Sequence, residues 1–264
     1  MVEVYKPTVA LHQKILIYAP SGHGKTHFLG TAQQDPRTYP MLFVNFEGGD
    51  QTLAGLDIDV VRVRDWKDYN EVYAYLSAPG HGYKSVGVDS ITETHVFALF
   101  KFLEIEVKER QDPDLLQLQD YNRASVQIRR LIRAFRDLPM HVIITGLSKT
   151  ELEPREGMII KPALSGTLAE EVPGMMSVVS YLGLAEADDG VHRILVLRNY
   201  PKIRTKVRTP WGVEIPNDII DPTITKLFDV LGVSEAPEEA EPELPVPGDY
   251  LPGLEAVKSE QETQ

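Results

Sequence analysis

Short apolar runs alternate along this chain with stretches whose apolar residues fall at helical spacing, a pattern that predicts strands and helices in turn. The stretch Ile15 to Tyr18 suits a buried strand, Pro20 to Gly24 a tight loop, and His27 to Thr31 the opening of a helix. Met41 to Phe46 is a second strand, closed by Glu47-Gly48-Gly49-Asp50, and Ile58 to Val63 a short third. Asp65 is placed to cap a helix on which Trp66, Tyr69, Val72, Tyr73 and Leu76 share a core face, with Pro79-Gly80 marking its end. Ser85 to Val88 ends in Asp89-Ser90 and leads into a helix to about Arg110, after which Asp112-Pro113-Asp114 breaks the chain. From Leu115 to Leu138 the positions Tyr121, Ile128, Leu131, Ile132, Phe135 and Leu138 form an apolar stripe. Arg129, Arg130, Arg133 and Arg136 fall largely on the other faces and read as a solvated surface. His141 to Thr145 is another buried strand, whereas residues 147–176 carry Pro154, Gly157, Pro162, Gly166, Pro173 and Gly174 with only a weak pattern and read as a long loop, of a length that is usually functional or mobile. Val178 to Ala185 and Val191 to Leu197 form a strand pair turning at Asp188-Asp189-Gly190. This alternation predicts the α/β class, a mainly parallel sheet flanked by helices with a hairpin toward the C-terminus.

Composition narrows the picture. The 264 residues are 42% hydrophobic and 25% charged, enough for one sizeable α/β core. Without cysteine the chain forms no disulfide and no thiolate zinc site. No stretch reads as a signal peptide or a membrane span, so a cytoplasmic location without membrane association is expected. The net charge of −12 is uneven: residues 234–264 hold nine acids against Lys258 alone, and the rest of the chain is only weakly acidic. That segment is also rich in proline and poor in core formers, so residues 1–233 are expected to form the folded unit and 234–264 a disordered acidic tail. Such a tail competes with DNA for basic surface, docks on a partner such as a single-strand-binding protein, or simply solubilises.

Chemistry concentrates where the first strand ends. Residues 14–26 run Lys-Ile-Leu-Ile-Tyr-Ala-Pro-Ser-Gly-His-Gly-Lys-Thr, a buried strand, a small-residue loop and a helix start, the arrangement of a nucleotide phosphate site. Pro20, Ser21, Gly22, His23, Gly24, Lys25, Thr26 and His27 form the expected cradle. Its backbone N–H groups point at the phosphates, and the glycines permit that path. Lys25 then reaches the β- and γ-phosphates of ATP as a point charge, and the Thr26 hydroxyl ligates Mg2+. Ala19 occupies the position where this motif usually has its first glycine, the mildest of substitutions. His23 and His27 lie four apart but lack a nearby third ligand, which argues against a metal pair. No guanine-reading Asn-Lys-x-Asp string is present, which favours ATP. Ligands of open α/β sheets sit at the carboxyl ends of strands, so Asp89, Glu47 and Thr145 are expected to converge on the same nucleotide. Asp89 is assigned to magnesium through water, Glu47 to the water that attacks the γ-phosphate, and Thr145 to sensing that phosphate.

These segments together resemble the RecA-like ATPase core: the loop Ala19 to Thr26, the strand ending Val-Asn-Phe-Glu47, the Val-Asp89-Ser90-Ile-Thr junction, and His-Val-Ile-Ile-Thr145. More narrowly, the chain is similar to phage-encoded, shortened RecA-like ATPases of single-strand annealing and recombination, over about residues 12 to 231. The resemblance implies a homo-oligomer, filament or ring, with ATP between subunits and single-stranded DNA as partner. Between Arg193 and Arg208 lie six positive charges and no acid. Within that segment Lys206 and Arg208 look like the pair that such proteins project into the neighbouring subunit's ATP, a role in which each acts in trans. The loop 147–176, with Lys149, Arg155 and Lys161, corresponds in position to the family's DNA-binding loop, although Glu151, Glu153, Glu156, Glu170 and Glu171 offset its charge. A replicative helicase or helicase-loading ATPase, a small-molecule P-loop kinase and a nucleotide-gated interaction protein are the alternative functions.

Overall fold

The computed structural model describes residues 11–92, 118–164, 166–198 and 200–235. The expected helix to Arg110 beyond Thr92, the Asp112-Pro113-Asp114 break and nearly all of the acidic tail lie outside the described residues. The strands are β1 Lys14–Ala19, β2 Met41–Asn45, β3 Asp59–Arg62, β4 Ser85–Asp89, β5 His141–Glu153, β6 Gly157–Pro162, β7 Val178–Ala187, β8 Gly190–Val196, β9 Lys206–Val207 and β10 Asp218–Ile220. The helices are α1 Lys25–Gly30, α2 Trp66–Ser77, α3 Leu118–Asp137, α4 Leu168–Met175 and α5 Ile224–Leu231. The main sheet runs in the order β10-β8-β7-β1-β5-β4-β2-β3. Pairings from β7 through β1, β5, β4 and β2 to β3 are parallel, and β8 and β10 extend the sheet antiparallel. The α/β expectation therefore holds, in a RecA-like arrangement that inserts β5 between the phosphate-loop strand and the Asp89 strand.

β1 is covered on both faces, which is why it reads as a continuous apolar run rather than an alternation. Leu16 and Tyr18 face a core formed with α2 and α3, which contribute Trp66, Tyr69, Tyr73, Leu131 and Phe135. Ile15, Ile17 and Ala19 face the opposite core, built with Phe28 and Leu29 of α1 and Leu227 and Phe228 of α5. Helix α1 packs closely because β4 carries glycine beneath it: a Cβ on Gly87 would lie 2.9 Å from Leu29 Cδ1. The cap predicted for α2 is formed, with Asp65 accepting the Asp68 N–H at 2.8 Å while Asp68 accepts the Arg64 N–H at 2.8 Å.

The segment 147–176 differs from its expectation as a weakly patterned loop. β5 continues through it to Glu153 and pairs antiparallel with β6, from Ser148↔Pro162 to Glu153↔Gly157, and α4 follows. The outer part of the ribbon is exposed and carries charged pairs, Lys161 with Glu151 at 3.2 Å and Glu153 at 2.8 Å and Lys149 with Glu151 at 2.8 Å, while Ile159 is buried and Ile160 packs on the core. Helix α4 was hidden by Pro173 and Gly174, which fall near its C-terminus, while Leu168 and Val172 anchor it in the core. The predicted pair β7–β8 is present and turns at the expected residues.

Candidate nucleotide site

The phosphate loop leaves β1 where the flanking parallel strands β5 and β7 also run toward their carboxyl ends. Gly22 and Gly24 take φ of 80° and 90°, the left-handed region that glycine enters without strain. Helix α1 closes with the Phe28 N–H donating to Gly24 O at 2.9 Å, and the amides of Lys25, Thr26 and His27 precede that first helical bond. Lys25 is only 7% exposed, and its Nζ donates to Pro20 O at 3.1 Å and Ala19 O at 3.4 Å. Burial pushes its ammonium below the usual lysine range, while the Asp89 and Glu47 carboxylates oppose that shift. The loop thus holds a cation stripped of most of its water, with two carboxylates nearby.

Asp89 is the hub. It lies at the end of β4, 2% exposed, with both carboxylate oxygens engaged. The Thr26 hydroxyl donates to Oδ2 at 2.6 Å, and the Thr145 hydroxyl, from β5, donates to Oδ1. Sheet geometry carries Glu47 to the same place: the Phe46 N–H donates to Asp89 O at 2.8 Å, one step beyond the Asn45↔Asp89 register of β2 and β4. Ser90 then donates its hydroxyl to Glu47 Oε1. The chain folds back over the site at Gly48, φ 77°, whose N–H donates to Asn45 Oδ1 at 2.8 Å. A Cβ on Gly49 would lie 3.5 Å from Thr26 Oγ1 and 3.8 Å from Asp89 Oδ2. Lys25, Thr26, Glu47, Asp89 and Thr145, read from separate parts of the sequence, therefore form one cluster. Thr145 has a more definite contact than sequence reasoning supplied, since it orients the Asp89 carboxylate.

A hydroxyl and a carboxylate presented side by side by Thr26 and Asp89 are hard oxygen donors, the set Mg2+ takes together with phosphate oxygens and water. The residues present fit that ion. His23 Nδ1 and Asn45 Nδ2 are buried without a hydrogen-bond partner among the described residues, so one polar atom within the loop and one on the strand beside Asp89 remain unsatisfied.

Lys206 and Arg208 lie elsewhere. β9 joins the first half of β7, Val179 opposite Lys206, at the level of Leu16 and below the loop. Lys206 Nζ donates to Pro173 O at 3.0 Å and Gly174 O at 2.9 Å, and Arg208 donates to Gly174 O at 3.0 Å. Both cations therefore serve the carboxyl end of α4 within their own chain. Sequence reasoning missed Arg193, which lies against the loop at Gly24; only its basic side chain within the Arg193–Arg208 segment marked it.

No match to a curated protein was found. Among solved structures, a KaiC-like protein from the hyperthermophilic archaeon Pyrococcus horikoshii is similar with 16% identity and a TM-score of 0.43, covering 80% of this chain and 89% of that one. The model of the AAA domain family matches residues 11–209, a span that contains the phosphate loop, Glu47, the Asp89 hub, Thr145 and the Lys206 and Arg208 pair. The chain belongs to the AAA domain family and carries the nucleotide-binding site of a P-loop ATPase.

Proposed function

We propose that this protein hydrolyses ATP as a RecA-like assembly on single-stranded DNA, in annealing or strand exchange of the kind that phages encode, with ATP held between subunits in the cytoplasm. The observation that carries the hydrolytic part is the Asp89 hub, with Thr26 and Thr145 donating to its two oxygens while Glu47 stands beside it on Ser90. Lys25 supplies positive charge to the β- and γ-phosphates, and the loop amides bind their oxygens. Asp89 and Thr26 would hold magnesium, which would supply charge neutralisation at the phosphates. Thr145 keeps the Asp89 carboxylate aimed, and Glu47 orients the attacking water and accepts its proton. Ser90 fixes Glu47 for that task.

Assembly is supported by the position of Lys206 and Arg208, which do not reach the phosphate loop of their own chain. In a neighbouring subunit's site they stabilise transition-state charge and couple turnover to association. Contact with single-stranded DNA is supported by the β5–β6 hairpin. Its cross-strand pair Leu152 and Met158 stands 70% and 51% exposed beside Arg155 at the turn. The cleft between hairpin and α4 gathers Lys149, Lys161, Arg204 and Lys206 among Glu151, Glu153 and Glu170. Binding of these cations to phosphates is expected to weaken with salt, the more so the more phosphates they meet.

ATP hydrolysis measured against protein concentration, with and without single-stranded DNA, tests the proposal. DNA stimulation, a steeper than linear concentration dependence, and loss in Lys25→Ala, Glu47→Ala and Arg208→Ala are expected, with Glu47→Ala still binding nucleotide. Turnover linear in protein and indifferent to DNA would overturn the recombination role and point to a small-molecule phosphate acceptor.

A further inference from the structure

The hairpin β7–β8 overhangs the phosphate loop. Tyr181 pairs with Tyr18 near the end of β1, and Leu184, further along β7, pairs with Arg193 on β8, so strand register carries Arg193 past the level at which the loop begins. Its side chain lies across the loop: a Cβ on Gly24 would sit 2.5 Å from Arg193 Nε, 3.2 Å from Cζ and 3.3 Å from Cδ. Gly24 is therefore required twice, by its left-handed φ and by the space the arginine fills. Many arginines of this chain are spoken for by carboxylates, as in Arg37 with Asp35, Arg129 with Glu171, Arg136 with Asp137 and Arg204 with Glu156. No carboxylate pairs with the Arg193 side chain among the described residues.

Its backbone, by contrast, is pinned on both sides. The Arg193 N–H donates to Asp221 Oδ1 at 3.2 Å, and Arg193 O accepts the Asp221 N–H at 2.7 Å. Asp221 is held in turn by His192 at 2.8 Å and adopts φ of 43°, a left-handed conformation uncommon outside glycine. A strained residue kept in place by its neighbours, beside a cation with no carboxylate partner among the described residues, is the pattern of a preorganised ligand contact.

We propose that Arg193 is a second nucleotide-binding cation, acting in cis: from a strand whose backbone is paired with Asp221, it binds the phosphate chain of ATP on the hairpin side of the loop. A guanidinium suits that task because its planar fork meets two phosphate oxygens at once, whereas Lys25 acts as a point charge. This inference rests on the nucleotide-site reading above and deepens it.

Equilibrium binding of ATP, ADP and inorganic pyrophosphate to the full chain, for wild type, Arg193→Ala, Arg193→Lys and Lys25→Ala, tests it without recourse to turnover. Loss of a charge-assisted contact predicts that Arg193→Ala weakens all three ligands by about tenfold or more, with Arg193→Lys recovering part of the loss. An unchanged melting temperature for Arg193→Ala shows that the loss is not unfolding, as its exposed position leads one to expect. Affinities unchanged in Arg193→Ala but lost in Lys25→Ala would overturn the role of Arg193 and leave the phosphate site standing. A loss confined to ATP and ADP, with pyrophosphate unaffected, would overturn the phosphate contact. Affinities unchanged in both alanine variants would overturn the nucleotide-site reading itself.

Discussion

His141 begins β5 and is 3% exposed, with Nδ1 accepting the Gln13 N–H at 3.1 Å and the ring packed against Phe228. Burial, reinforced by His12 and Lys14, pushes its pKa from 6.5 down to about 3, and burial with Lys14 takes His12 to about 4. In the unfolded chain both rings titrate near 6.5, so between that value and about 3 the unfolded state holds more protons than the folded one. Their contribution to stability is fully present above 6.5 and declines as the pH falls through that window. Urea midpoints at about pH 7.5 and about pH 5 are expected to show a smaller acid-induced loss in His141→Gln than in wild type. The comparison is of the two differences, since the substitution itself changes stability at either pH.

At the scale of elements, capping residues separate structural roles from chemical ones. Asp65 caps α2 and takes no part in the hydrogen bonds of the Asp89 hub, so Asp65→Ala should cost about 1 kcal/mol of unfolding free energy and leave nucleotide affinity unchanged, as denaturation and binding together will show. Arg208 sits at the carboxyl end of α4, where a cation on an exposed helix end contributes about 0.3–1 kcal/mol. Arg208→Ala is therefore expected to move stability by less than about 1 kcal/mol while removing most ATP turnover. A loss of turnover that merely followed a larger loss of stability would assign Arg208 to the helix alone.

The whole molecule divides its labour across the sheet. β5 spans both halves of that division: its first residues pair with β1 and β4 in the core, and its last leave with β6 as a projecting ribbon. Thr145, inside the first part, touches the nucleotide hub, so the ribbon is joined to the site through one continuous strand. Arg204 N–H donates to Ile160 O at 2.9 Å, and Tyr18 donates to Arg204 O at 2.6 Å, which ties β6 back to the phosphate-loop strand. If the ribbon is the DNA contact proposed above, replacing its tip from Leu152 to Met158 with a two-residue turn leaves ATP affinity intact and removes any stimulation of turnover by single-stranded DNA. No helix among the described residues is long and apolar enough to cross a membrane.

Much of this architecture is encoded locally. The phosphate loop, the α2 cap, the Asp89 strand end and the β7–β8 turn were legible because turn chemistry and apolar periodicity act over a few residues and need no distant partner. The β5–β6 ribbon was not, since a charge-paired ribbon with only isolated buried positions leaves no apolar period to read. Convergence of Glu47, Asp89 and Thr145 was anticipated from the rule that strand ends gather ligands, but that Thr26 and Thr145 divide the two Asp89 oxygens depends on the inserted position of β5. Arg193 is the clearest case. Its residue type was visible in a basic segment, yet its place over Gly24 follows from the register of β1 with β7 and of β7 with β8. The sequence by itself determined which groups were available for nucleotide chemistry, and long-range strand pairing decided which of them meet, because register between distant segments is set by the packing of the whole sheet.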